Sequence, residues 1–187
     1  MLNNKKINDL ENLKKEILDK KICADLALES TQLVFGSGDP DAKIVFIGEA
    51  PGKQEDLQGE PFVGASGKFL NEMLKSINLM RNDVYITNIV KYRPPNNRDP
   101  SMAEKAEFLP YLLKQIEIIN PRVIVTLGRH SMEQFLPGGK IGEVHGTLVK
   151  LENGTLLMPL YHPAAALYNG KLRQILKDDF VSLKGVI

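Results

Sequence analysis

The sequence predicts an α/β fold in which a mostly parallel sheet is covered on both faces by helices. Three observations lead there. Short apolar runs rich in β-branched residues recur at IVFIG (44–48), VYITNIV (84–90) and RVIVTLG (122–128), the pattern of strands buried on both faces. Each run is followed by a segment whose apolar residues recur at helical spacing. Strand–helix alternation of this kind favours parallel pairing through helical crossovers.

The elements follow in order. Residues 1–30 read as one or two polar helices, with Leu10, Leu13, Ile17 and Leu18 forming one apolar stripe. GSGDPDA (36–42) is turn punctuation. The first buried strand leads into 49–65, rich in Gly and Pro and read as a long loop. A helix through Phe69, Leu70, Met73, Leu74 and Ile77 precedes the second strand, and KYRPPNNRDP (91–100) is a proline-stiffened loop. Ser101 with Glu104 is a capping-box signature. The helix it opens carries Leu109, Leu112, Leu113, Ile116 and Ile119, and Pro110 inside it implies a bend or a late start. After the third strand come a short helix near 129–136 and a hairpin whose arms, 142–151 and 155–160, flank Asn153-Gly154. The last helix covers about 170–184, with Leu172, Ile175, Leu176 and Phe180 inward.

Composition narrows the function classes. The 187 residues suit one domain, 1–187, able to bury about 70% of its extended surface. With 24 basic against 23 acidic side chains, any nucleic-acid contact has to come from a local patch. No apolar run approaches the ~20 residues of a membrane span, and the charged N-terminal segment lacks a signal-peptide apolar region. The expected setting is therefore cytoplasmic, with no membrane partner. A single cysteine, Cys23, forms no internal disulfide and cannot supply a four-thiolate zinc site or hold an iron–sulfur cluster unaided. His130, His145 and His162 fit no local metal motif, so no metal is expected.

In parallel sheets the binding crevice lies beyond the carboxyl ends of the strands. The segments placed there are Gly48-Glu49-Ala50-Pro51-Gly52, Asn88 to Pro95, Gly128 to His130, and Tyr161-His162-Pro163-Ala164. The third is the plainest. Glycines with a proline let backbone N–H groups approach a ligand, although any strand-to-loop turn favours the same residues. A nucleotide P-loop pattern is absent. Phe62 stands in the glycine-rich PFVGASG, either stacking on a flat ligand such as a base or anchoring its loop. Asn88 is an amide inside an apolar strand, able to read a base edge or to bond neighbouring backbone. Lys91, Arg93 and Arg98 form a basic loop, either a phosphate-contacting edge or solvated surface.

The four motifs GEAPGKQED, GEPFVGASG, YITNIVKYRPPNNRDP and YHPAAAL, in this order and at these intervals over most of 33–180, resemble the family 4 uracil-DNA glycosylases. That resemblance implies a three-layer α/β/α fold with a central four-stranded sheet. It implies an activity that flips uracil out of DNA and hydrolyses its N-glycosidic bond, with uracil-containing DNA as the partner; the chain is expected to act as a monomer. Glu49 then matches the motif acid, Glu55 a second acid of the loop, Phe62 the stacking ring, Asn88 the amide that reads uracil, and His162 the histidine near uracil O2; Gly48 and Ala50 complete the pocket. Ala50 stands where family 1 enzymes carry a water-handling aspartate, which favours a dissociative reaction supported by Glu49. Leu167 or Tyr168 matches the loop that enters the minor groove, although Leu167 equally suits the core face of the last helix; Lys171 and Arg173 are further phosphate contacts. Family 4 members usually hold a four-iron, four-sulfur cluster. Here two of its cysteine positions fall on Tyr92 and Phe108, the other two near Lys21 and Ala24, with Cys23 out of step. The expectation is no cofactor, with the two rings filling the vacated volume. Rival readings are a non-catalytic binder of uracil-containing or damaged DNA, a glycosylase of hypoxanthine or xanthine, and, with little support from the GEVHGTLV segment, a covalent trap.

Overall fold

Apolar strands without a polar face can only be satisfied by helices on both sides, and the chain builds that arrangement. The computed structural model describes residues 2–186. Helices α1 (Leu2–Asp19) and α2 (Ala24–Glu29) precede strands β1 (Ser37–Gly38) and β2 (Ile44–Gly48). Then come α3 (Lys53–Gln58), α4 (Ala65–Ser76), β3 (Tyr85–Asn88), α5 (Met102–Ile119), β4 (Val123–Leu127) and α6 (Arg129–Glu133). The chain closes with α7 (Ile141–Val144), β5 (Val149–Lys150), β6 (Leu156–Leu160), α8 (Pro163–Leu167) and α9 (Gly170–Lys184).

The sheet order is β1-β3-β2-β4-β6-β5. The four strands β3, β2, β4 and β6 pair in parallel, as the family resemblance implies, while β1 and β5 add antiparallel edges of two residues each. Such short edges are below the length at which alternation is legible in sequence, and they leave little edge open for mispairing. The two faces divide the apolar residues by strand periodicity. Val45, Ile47 and Ile124 pack with α1, α2 and α5, whereas Ile44, Phe46, Val123 and Val125 pack with α4 and α9.

Several local expectations need correction. Leu18 is exposed, because it is displaced about 100° around α1 from Ile17, which is buried. Leu113 is exposed on α5 for the same reason, next to buried Leu112. The 49–65 loop contains α3, whose six residues carry Glu55 and Asp56 inward rather than an apolar stripe. Pro110 neither delays nor breaks α5, which starts at the Ser101–Glu104 capping box. Both Pro110 and Ala106 face solvent, where water can take the Ala106 carbonyl that the proline cannot bond. The first arm of the hairpin begins in α7 and a turn, and only Val149–Lys150 pairs with β6. Among the described residues no helix is long and apolar enough to cross a membrane.

Candidate active site

All four parallel strands deliver their carboxyl ends to one edge of the sheet. Glu49 follows β2, Asn88 ends β3, His130 lies one residue into α6 after β4, and His162 follows β6. Gly48 and Asn88 are register partners. A Cβ on Gly48 would lie 2.4 Å from Asn88 Oδ1 and 2.6 Å from the Phe62 ring. Only glycine there lets the amide and the ring close over the strand end. Asn88 is 1% exposed, and its Oδ1 is buried without a hydrogen-bond partner. An orphan acceptor of this kind costs about 1–3 kcal/mol unless a ligand supplies the donor.

Phe62 is buried with φ of 54°, in the left-handed region that a bulky side chain rarely adopts. Strain of this kind, about 1–3 kcal/mol, persists only when the surroundings over-determine it. Here they do. The Arg81 guanidinium donates to the Phe62 carbonyl at 3.0 Å and to the Pro61 carbonyl. Glu55 Oε1 accepts from the backbone N–H groups of Val63 and Gly64 at 2.9 and 2.8 Å. Glu55 thus fastens the loop that carries the ring.

The His162 ring centroid lies 5.7 Å from that of Phe62, with the planes 32° apart. His162 caps α8, and its Nδ1 accepts from the Ala164 N–H at 3.1 Å. That bond leaves the ring proton of a neutral imidazole on Nε2. Burial lowers the His162 pKa to about 4, with the Glu55 charge opposing in part. Glu49 is partly buried, and its Oε1 also lacks a partner. Burial pushes its carboxyl above the ordinary range; His130 opposes this, Asp99 adds to it, and Lys105 and Arg129 oppose it.

Glu49, Ala50, Glu55, Phe62, Asn88 and His162 line one cavity of about 350 Å³, with Arg98 and Asp99 at its exposed rim. Other expected contacts fall elsewhere. Lys91 is wholly buried and donates to Thr87 Oγ1, Asn88 O and Gln115 Oε1 at 2.7, 2.8 and 2.6 Å. It has no surface to offer a phosphate, and the expectation of a DNA contact there is withdrawn. Burial holds its ammonium well below the usual lysine range. Arg93 turns to Asn97 at 2.8 Å, and Arg98 is held by Glu104 at 2.6 Å. Lys171 is exposed in the first turn of α9, while Arg173 is engaged by Glu72 and lies over the Phe69 ring. Leu167 packs partly against the core, and Tyr168 is 94% exposed.

Three contributors are not singled out in the sequence: Arg81, Asp99 and His130. The cue for His130 is its place after the third parallel strand. Arg81 and Asp99 carry no pattern signal, because their partners are distant backbone and side-chain atoms. Glu49, Asp99 and His130 bring one donor atom each within 4.8 Å of one another. Lys105 and Arg129 press two cations against them, at 3.3 Å from His130 Nδ1 and 3.6 Å from Asp99 Oδ2, which works against a divalent ion.

The residues at the cluster positions do not fit an iron–sulfur group either. The Tyr92 and Phe108 rings lie 5.9 Å apart in the buried core that also holds Cys23. The Cys23 thiol is pushed up to about 12 by burial and neighbouring carboxylates, and the chain has no second cysteine. Two aromatic rings and one protonated thiol are the wrong donor set.

Comparison with known proteins agrees with this architecture. Residues 35–182 match the family model of the Uracil DNA glycosylase superfamily. The chain is 47% identical to a type-4 uracil-DNA glycosylase of Sulfurisphaera tokodaii, covering 95% of this chain and 84% of that protein. It is 46% identical to one of Archaeoglobus fulgidus, covering 93% and 91%. A third, from Thermotoga maritima, is 42% identical over 96% and 95%.

Proposed function

This chain belongs to the uracil DNA glycosylase superfamily, and from that premise we infer that it is a DNA repair glycosylase that removes uracil from DNA and leaves an abasic site. The observation that carries the reading is the orphan acceptor of Asn88, buried in the same cavity as Phe62, His162 and Glu49.

Uracil inside a duplex is out of reach and has to be rotated out at a cost of a few kcal/mol. Stacking on Phe62 returns about 1–3 kcal/mol of that with little base selectivity. Selectivity falls to Asn88. Its Oδ1 accepts from uracil N3–H, whereas cytosine presents a lone pair at that position and leaves the acceptor unpaired, a penalty of about 1–3 kcal/mol. When the glycosidic bond breaks, its electron pair leaves with uracil, and positive charge is left on the sugar. His162, neutral and donating through Nε2–H to O2, stabilises the departing anion as an oxyanion-hole donor does. Glu49 stabilises the sugar cation and takes a proton from the water that bonds to C1′. Glu55 acts on the pocket through the Phe62 loop. Ala50 offers no base, which suits a reaction in which bond breaking precedes water attack.

Arg98 at the rim and Lys171 on α9 are the basic groups that we assign to the DNA backbone, with Arg93 nearby. Tyr168 is the wedge that fills the gap left by the flipped base, because Leu167 is already committed to the core. The enzyme works without an iron–sulfur cluster, as a monomer and in the cytoplasm; the Tyr92–Phe108 pair supports the first of these.

The test is a panel of uracil, hypoxanthine and xanthine oligonucleotides, cleaved by alkali after incubation with wild type, Asn88→Ala or His162→Ala. Uracil release is expected, with His162→Ala slowing it about 10²–10³-fold, since a lost transition-state donor costs roughly 2.7–4 kcal/mol, and Asn88→Ala slowing it about tenfold or more through loss of the acceptor for N3–H. No release from any oligonucleotide would favour a non-catalytic binder. Unchanged rates in both variants would remove the proposed site. Metal analysis of the purified protein should find no stoichiometric iron.

A further inference from the structure

Glu49 cannot act alone. Its Oε1 is buried without a hydrogen bond, and burial favours the protonated form, in which it could not stabilise a cation. His130 Nε2 lies 3.6 Å from that oxygen. Asp99 Oδ2 holds the same nitrogen at 3.1 Å. On the other side of the ring, the Lys105 ammonium lies 3.3 Å from Nδ1. An ammonium has no acceptor, so Nδ1 must accept, and the proton of a neutral ring sits on Nε2, between the two carboxylates. Arg129 Nε approaches Nε2 at 3.2 Å as a rival donor; with Nδ1 held by Lys105, that competition goes to the carboxylates.

We propose that His130 is a positioning residue for Glu49: Lys105 fixes its tautomer, Asp99 aims it, and its Nε2–H holds the Glu49 carboxylate ionised and turned toward the sugar. The inference rests on the glycosylase reading and adds to it a residue outside the base pocket. The charged groups facing Glu49 are Asp99 from the proline-rich loop, Lys105 from α5, and Arg129 with His130 from α6. Of these, His130 brings its Nε2 to 3.6 Å from Oε1. A small rotation of the Glu49 side chain closes the 3.6 Å gap to a charge-assisted bond.

Two substitutions separate positioning from packing. His130→Leu keeps the bulk and loses the donor, while His130→Gln keeps an N–H at nearly the position of Nε2. The readouts are kcat and KM on a uracil duplex, the pH profile of kcat, and the Glu49 carboxyl titration followed by 13C NMR. His130→Leu should lower kcat roughly tenfold, the factor for one charge-assisted bond, with KM little changed. It should also move the acidic limb and the Glu49 titration to higher pH. His130→Gln should recover most of the rate. A His130→Leu enzyme with wild-type kcat and an unmoved Glu49 titration overturns the proposal, as does a His130→Gln enzyme as slow as His130→Leu. If wild type releases no uracil, the glycosylase reading fails, and the Glu49 titration alone still decides whether His130 governs that carboxyl.

Discussion

The protonation state of His162 makes the sharpest prediction. An unperturbed histidine near 6.5 is about one-quarter neutral at pH 6 and almost wholly neutral at pH 8, a fourfold change in the population of the neutral donor. Burial brings His162 down to about 4, so it is neutral across that interval. The Ala164 N–H bond at Nδ1 leaves its proton on Nε2 throughout. The ratio of the wild-type rate to the His162→Ala rate, measured in single turnover, removes the ionisation of Glu49 from the comparison. That ratio should stand at about 10²–10³ and stay constant from pH 6 to 8. Nitrogen NMR of the ring should show an Nε2-protonated neutral imidazole at both ends. A fourfold rise in the ratio with pH, or a ring titrating near 6.5, would refute the argument from burial. A falling ratio would mean that the cation is the active form.

Three further outcomes follow from single contacts. Gly48→Ala drives a methyl into Asn88 Oδ1 and the Phe62 ring; thermal unfolding should show about 1–3 kcal/mol of overpacking cost, and uracil release should fall by more than that loss of folded protein explains. Tyr168→Ala should slow release from duplex DNA but spare single strands, where no stack has to be filled, and equal losses on both would remove the wedge. Lys91 is buried with a depressed pKa, so as pH rises the folded chain gives up this proton before the unfolded chain does. Stability from Lys91 therefore rises with pH toward its ordinary value of 10.5. In denaturant melts, the wild type minus Lys91→Met difference should rise as the pH is raised toward 10.5, and a flat difference would show that the amine is not desolvated.

The parallel core and the residues of the candidate pocket are legible in the sequence because each rests on a strong local signal. IVFIG, VYITNIV and RVIVTLG are apolar runs suited to strands buried on both faces, and the rule that ligands sit beyond strand ends then gathers Glu49 and Asn88, with His162 after the second arm of the hairpin. What was not legible depends on distance. Lys91 reads as a surface charge in a basic loop, and only the fold reveals that Gln115, far along the chain on α5, turns it inward. Arg81 grips Pro61 and Phe62 through their carbonyls, and a backbone acceptor leaves no trace in side-chain pattern. His130 looked plain beside His162 because its meaning comes from Lys105 and Asp99, each on a different element. The extra edges β1 and β5 have two residues each, shorter than any period.

The clasp around Phe62 bears on how such an enzyme searches a genome. Because the bonds shaping that loop come from the chain's own Arg81 and Glu55, the ordering entropy is met once, during folding, and not at every encounter with DNA. A rigid seat lets the many undamaged sites be rejected quickly, since an ill-fitting base finds nothing that bends to accommodate it. The same rigidity ties the seat's survival to the Arg81 guanidinium and the Glu55 carboxylate, so a substitution at either would blunt recognition without touching the base.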